Sequence, residues 1–112
     1  MSKVFPSSRL TAVLAFTLAS ITTVSAQSAD VGKKVYTDQK CSICHSVGGV
    51  GNKKGPLEDA AKLSADEIRQ WITDAPAMTA KKNAARKPAM KAYNLPKEDV
   101  DGLVAYIQSL KK

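Results

Sequence analysis

An all-α domain is predicted by two features: three segments carry apolar residues at helical spacing, and no segment alternates apolar and polar side chains as a half-buried strand would. The best-defined helix begins near Pro96, a residue type suited to opening one. Glu98, Asp99 and Asp101 follow at its positive dipole end, with Lys111 and Lys112 at the other. Val100, Leu103, Val104, Ile107 and Leu110 repeat at the 3.6-residue period and give this helix one face to bury. A second helix starts at Ser64, which has Glu67 at capping-box spacing; it groups Ile68, Trp71 and Ile72 and is expected to end at Pro76. The first helix is expected over about residues 30–39, with Val31 and Val35 one turn apart and Tyr36 beside them. A shorter helix fits residues 57–61. Two stretches read as irregular. Residues 46–56 hold four of the six glycines (Gly48, Gly49, Gly51 and Gly55), which excludes helix or strand and implies a loop packed against something flat. The second is residues 76–94.

Residues 1–26 precede this domain. They contain Lys3 and Arg9, no acidic residue, an apolar run over 10–24 and the small-residue ending Val24-Ser25-Ala26. This is the pattern of a secretory signal cleaved after Ala26. The run is short for a span of roughly twenty residues and is interrupted by serines and threonines, so a retained membrane anchor is the weaker reading. The remaining 86 residues, 27–112, make one domain and no more. A chain this short buries only about 60–65% of its extended surface and is marginal without a further core element.

Loss of Lys3 and Arg9 with the leader lowers the formal charge from +7 to +5. A modest basic excess of this kind points to an acidic protein partner. No basic helix interleaved with aromatics is present, so nucleic acid is excluded as the expected partner. The glycine-rich stretch lacks the spacing and following helix of a phosphate-binding loop.

Both cysteines and the single histidine stand together as Cys41-Ser42-Ile43-Cys44-His45. Cys-x-x-Cys-His is the attachment signature of c-type haem. Two thiols three residues apart reach the two vinyl groups on one porphyrin edge, and the next residue brings an imidazole to the iron. A structural zinc site needs four ligands, and the sequence offers no further Cys or His. A thioredoxin-like dithiol needs a βαβ context that the flanking residues do not supply. One covalent haem c, held through Cys41 and Cys44 with His45 as proximal ligand, is the reading. Export agrees with it, because c-type haem is attached outside the cytoplasm. A porphyrin filling the core also accounts for an aromatic content of only 5%, and the apoprotein is expected to fold poorly.

The iron's other axial position decides function. With no second histidine, the residues leave Met78, Met90, a lysine or an open site. Pro-Ala-Met occurs twice, at 76–78 and 88–90. Met78 follows the second helix directly and reads equally as a core filler. Met90 lies in the loop before the last helix, where a ligand would close the loop over the porphyrin. Trp71 and Tyr93 are candidates for propionate contacts or for packing alone, and Tyr36 and Tyr106 for helix–helix contact. Lys81, Lys82, Arg86, Lys87 and Lys91 cluster beside Met90 and read either as a docking surface for an acidic redox partner or as a solvated basic loop.

In combination these motifs resemble the small bacterial class I cytochromes c. The elements that match are Gly32 on the first helix, Cys41 to His45, the run Gly51-Asn52-Lys53-Lys54-Gly55-Pro56-Leu57, Trp71-Ile72 ahead of a proline, and Met90 before Leu-Val-Ala-Tyr-Ile. The resemblance covers residues 30–111. It implies a class I cytochrome c fold, with three main helices and loops wrapped around one haem. It implies Met90 as sixth ligand, a Pro56 carbonyl orienting His45, and a close crossing of the last helix at Gly32. Such proteins commonly carry Met-Pro, whereas here Met90 precedes Lys91. The function implied is periplasmic shuttling of single electrons by a monomeric protein that is not itself an enzyme. The alternatives are a haem-bearing subunit of a larger periplasmic oxidoreductase, for example one oxidising sulfur compounds, and a ligand sensor with a displaceable sixth ligand.

Overall fold

The computed structural model describes residues 24–112 together with Ala15. Apart from Ala15 and its last three residues, the expected leader lies outside the described residues. In chain order the elements are α1 (Val24–Asp38), a 3-10 turn (Cys41–Ile43), β1 (Ser46–Val47), β2 (Val50–Gly51), α2 (Leu57–Ala60), α3 (Ala65–Thr73), α4 (Ala75–Lys82) and α5 (Lys97–Ser109).

Helix α1 begins earlier than its apolar pattern suggests. Residues 24–29 contain no glycine or proline to stop a helix, yet no apolar stripe to announce one. It ends before Lys40, whose left-handed backbone (φ 56°) turns the chain into the Cys41 turn. Helices α1 and α5 share the most extensive contact in the fold. Glycine makes it possible: a β-carbon on Gly32 would strike the Gly102 carbonyl and lie 2.6 Å from Tyr106 Cβ. One on Gly102 would lie 2.9 Å from the Gly32 nitrogen. One turn along, Tyr36 and Tyr106 meet edge to face, with centroids 5.8 Å apart at 64°. Gly32→Ala is therefore expected to force the two backbones apart and to lower unfolding stability by roughly 2–3 kcal/mol, read from denaturant midpoints of the holoprotein. An unchanged midpoint would mean that the crossing is not tight.

Helix α3 starts where expected, with Ser64 Oγ accepting the Glu67 N–H at 3.2 Å. The Glu67 carboxylate goes instead to Lys82 on α4, at 3.0 Å. Arg69 ties α3 to α5 by donating to Asp101 at 2.8 Å, and Lys97 reaches the other oxygen of that carboxylate at 2.6 Å. The Lys97 hydrogen bond leads, and the nearby cations follow, in holding the Asp101 carboxyl below the usual carboxylate range. A depressed folded-state pKa stabilises the protein above the unfolded value and loses that contribution as pH falls through the folded one. Asp101→Asn is expected to lower the urea midpoint at pH 7 and to lower it by less at about pH 3. Equal losses at both would contradict an ionic role.

Two irregular expectations are corrected. Residues 76–94 are not irregular throughout: Pro76 both ends α3 and sits in the first turn of α4, where its missing N–H costs nothing. Asn83, left-handed at φ 50°, closes α4. The glycine stretch does contain strand. Gly48 and Gly49 have φ of 58° and 78°, the positive pair that a two-residue hairpin turn requires, and they join β1 to β2. Val50 on this hairpin is 77% exposed, while Ser46 is buried and Val47 packs against the core. Among the described residues there are five α-helices, of which α1, α3 and α5 are the longest, and the fold is mostly helical.

Val35, Leu57, Ile68, Ile72, Val100, Leu103, Val104 and Ile107 form one apolar cluster between α1, α2, α3 and α5. Leu57, Ile68, Ile72 and Ile107 also form walls of the cavity described next.

Candidate haem-binding site

The site begins with the tight turn after α1. The Cys44 and His45 N–H groups both donate to the Cys41 carbonyl, at 3.1 and 2.9 Å. This winds the motif into a single turn and brings both thiols, free and half-buried, to one cavity. Burial pushes the Cys41 thiol up, so it is not primed as a redox nucleophile. The hairpin clamps the turn from outside. Asn52 donates its N–H to the Ser42 and His45 carbonyls (3.1 and 2.9 Å) and its side-chain amide to the Ile43 carbonyl at 3.1 Å. Gly51 approaches so closely, at φ 106°, that a β-carbon there would strike the His45 carbonyl. The Tyr36 hydroxyl also donates to that carbonyl, at 3.3 Å.

The His45 ring is oriented by a backbone carbonyl, though not by that of Pro56. Nδ1 lies 3.0 Å from the Gly55 oxygen. Pro56 stands at the N-terminus of α2, where its own carbonyl turns into the helix and accepts the Asp59 N–H at 3.2 Å, whereas the Gly55 carbonyl, which also accepts the Ser46 N–H at 3.1 Å, faces the ring. Because a carbonyl only accepts, Nδ1 carries the proton and Nε2 keeps its lone pair. Burial lowers the His45 pKa; the Gly55 bond opposes this and the nearby Arg86 cation reinforces it. The imidazole is therefore held neutral, the form that binds a metal.

The cavity measures about 630 Å³, within the range of about 300–1,000 Å³ typical of ligand sites. Cys41, Cys44, His45, Pro56, Trp71, Met90 and Tyr93 all line it. Met78 does not: it is buried in α4 at 2% exposure, in the core. Met90 stands in the segment between α4 and α5, which Tyr93 anchors by donating its N–H to the Ile72 carbonyl at 2.8 Å. Among the described residues no group of three or more His, Cys, Asp or Glu side chains gathers as a polydentate metal site would. Two thiols beside one neutral imidazole, a thioether and apolar walls fit a covalently attached haem.

The basic residues near Met90 are all exposed but make different contacts. Lys82 pairs with Glu67, Lys91 lies over the Tyr93 ring with its nitrogen 5.0 Å from the centroid, and Arg86 donates to the Cys44 carbonyl. Lys81 and Lys87 are exposed. Gly55 and Arg86 are the site residues that sequence reasoning assigned no such place. The Gly55-Pro56 step directly before a helical turn was the available signal for the first; nothing in the sequence links Arg86 to Cys44. No helix among the described residues is long and apolar enough to cross a membrane.

The family profile described as Cytochrome c matches residues 29–111. The chain is also similar to cytochrome c oxidase subunit 2 of Alkalihalophilus pseudofirmus, at 30% identity over 94 residues. That match takes in 74% of this chain and 26% of the relative, so the chain spans about a quarter of that protein's length. No solved structure matches the chain significantly.

Proposed function

Because the chain belongs to the cytochrome c family, we propose that it is a periplasmic carrier of single electrons, with one haem c whose iron takes His45 and Met90 as axial ligands. When bound, the haem supplies the ferric–ferrous couple. Cys41 and Cys44 hold it through thioether bonds. His45 offers Nε2, kept unprotonated by burial and aimed by the Gly55 carbonyl. Met90 offers a thioether, which raises the potential and favours electron transfer over oxygen chemistry. Trp71 and Tyr93 border the cavity and are the candidates for propionate contact. The observation that carries this reading is the convergence of both thiols, a neutral imidazole and Met90, with Met78 excluded, on one largely apolar cavity.

No residue pair is assigned to acid–base or nucleophilic catalysis, and the protein is proposed not to be an enzyme. It acts as a monomer that docks on an acidic redox partner through exposed lysines, so its exchange rates should fall as salt rises. A potentiometric titration tests the carrier assignment. It is expected to follow a single one-electron curve, with ferrous protein that binds carbon monoxide slowly or not at all. Rapid carbon monoxide binding would instead favour a ligand sensor.

The similarity to part of an oxidase subunit favours a second reading, in which this domain carries electrons for a larger periplasmic oxidoreductase. Purification from the native host discriminates the two: a free carrier elutes alone, a subunit with a catalytic chain.

A further inference from the structure

We infer that Arg86 is a positioning residue for Met90: its guanidinium latches the segment that carries Met90 onto the backbone that carries His45. This rests on the assignment of His45 and Met90 as axial ligands. Residues 84–96 lie between α4 and α5 and make no regular secondary structure. Among the described residues, two hydrogen bonds fasten residues 85–95 to the rest of the fold. The Tyr93 N–H donates to the Ile72 carbonyl at 2.8 Å, and Arg86 Nη2 donates to the Cys44 carbonyl. Met90 stands between them, four residues after one anchor and three before the other.

The Tyr93 anchor joins the segment to α3 at Ile72, which itself borders the cavity. The Arg86 anchor joins it to the haem motif itself, at the residue preceding His45. Gly55 makes room for it: a β-carbon there would collide with Arg86 Nη1, lie 2.9 Å from Arg86 Cζ and stand 2.5 Å from the Cys44 oxygen. The carbonyl of that same glycine accepts from His45 Nδ1. One guanidinium thus packs on the two backbone positions, 44 and 55, that fix the proximal ligand, while its own chain leads to the distal one. Arg86, Pro88, Ala89 and Met90 all border the cavity, so the segment forms part of its wall.

A thioether is a weak ligand that external ligands displace when its loop can swing away. A charged donor to a backbone carbonyl contributes more than a neutral one, even where water competes. Loss of the latch should therefore raise the population of the Met90-off state, and with it the affinity of any competing ligand, because an external ligand binds only the fraction that is open. Arg86→Gln removes the charge and the fork but keeps a polar side chain of similar reach, whereas Arg86→Lys keeps the charge alone.

The test is imidazole titration of the ferric holoprotein, followed by disappearance of the weak red iron–thioether band, with thermal unfolding as a control. Arg86→Gln is expected to bind imidazole about tenfold more tightly than the wild type. Arg86→Lys should fall between them, and the unfolding midpoints should change little. Wild-type imidazole affinity in Arg86→Gln, with the red band present, would overturn the latch and leave Met90 ligation standing. Tighter binding matched by a large fall in unfolding midpoint would likewise overturn it, showing general loosening rather than a latch. A wild type without the red band would overturn the ligand assignment and the latch with it.

Discussion

Replacing Met90 with alanine is expected to abolish the red absorption band of iron–thioether ligation and to lower the midpoint potential by roughly 0.2 V, a quarter of the about 0.8 V over which axial ligands move haem potentials. The physical reason is that a thioether stabilises ferrous over ferric iron, and among the described residues Met90 is the thioether that borders the cavity holding His45. Met78→Ala is the matched comparison, because the two methionines share a Pro-Ala-Met context. Met78 is 2% exposed and packs in the core. Its truncation should leave band and potential in place while costing about 2–4 kcal/mol of stability, the usual range for emptying a buried methionine site. The two variants therefore separate ligation from packing. A red band that survives Met90→Ala and vanishes in Met78→Ala would reverse the assignment.

The double substitution Cys41→Ser, Cys44→Ser is expected to have the largest effect on the protein as a whole. Without thioether bonds, no haem should remain with the polypeptide on a denaturing gel, and the chain should lose most of its helical signal when haem is extracted. The second effect follows from the core. The apolar cluster on α1, α2, α3 and α5 is small, and Leu57, Ile68, Ile72 and Ile107 turn part of it toward the cavity. A chain this short is marginal on its own burial, so removing the group that completes the core should leave little cooperative structure. Each single cysteine variant should retain haem through one bond and fold, with lower stability. Haem that stays on the doubly substituted chain under denaturing conditions would contradict covalent attachment at this motif.

Much of the site was legible in the sequence because its chemistry is local. Cys41, Cys44 and His45 lie within one turn, and a spacing constraint inside one turn survives whatever the rest of the fold does. The late helix was equally plain, since Val100, Leu103, Val104 and Ile107 repeat at helical spacing and all four are buried. The Gly32 crossing followed from a family pattern, and both Gly102 and Tyr106 meet it.

What the sequence concealed depended on alternative uses of one residue. Pro76 reads as a stop, yet a proline that stops one helix is also suited to open the next, so α4 was missed. Gly48 and Gly49 read as loop, although positive φ at two adjacent residues is what a tight hairpin needs. Pro56 reads as the residue whose carbonyl orients His45, but a carbonyl at a helix N-terminus turns into the first turn, and it is the Gly55 carbonyl, which also accepts the Ser46 N–H, that faces the ring. Arg86 looked like one of five interchangeable cations. Its contact with Cys44 spans 42 residues of sequence, a separation at which no local pattern carries information.

The most direct measurement of the central claim is the visible spectrum of the holoprotein in both oxidation states, with carbon monoxide added to the ferrous form. A His45–Met90 electron carrier predicts a low-spin spectrum in each state, the red thioether band in the ferric one, and little or no response to carbon monoxide. A high-spin ferrous spectrum that shifts at once on addition of carbon monoxide would contradict it, placing an open coordination site where Met90 is proposed to bind.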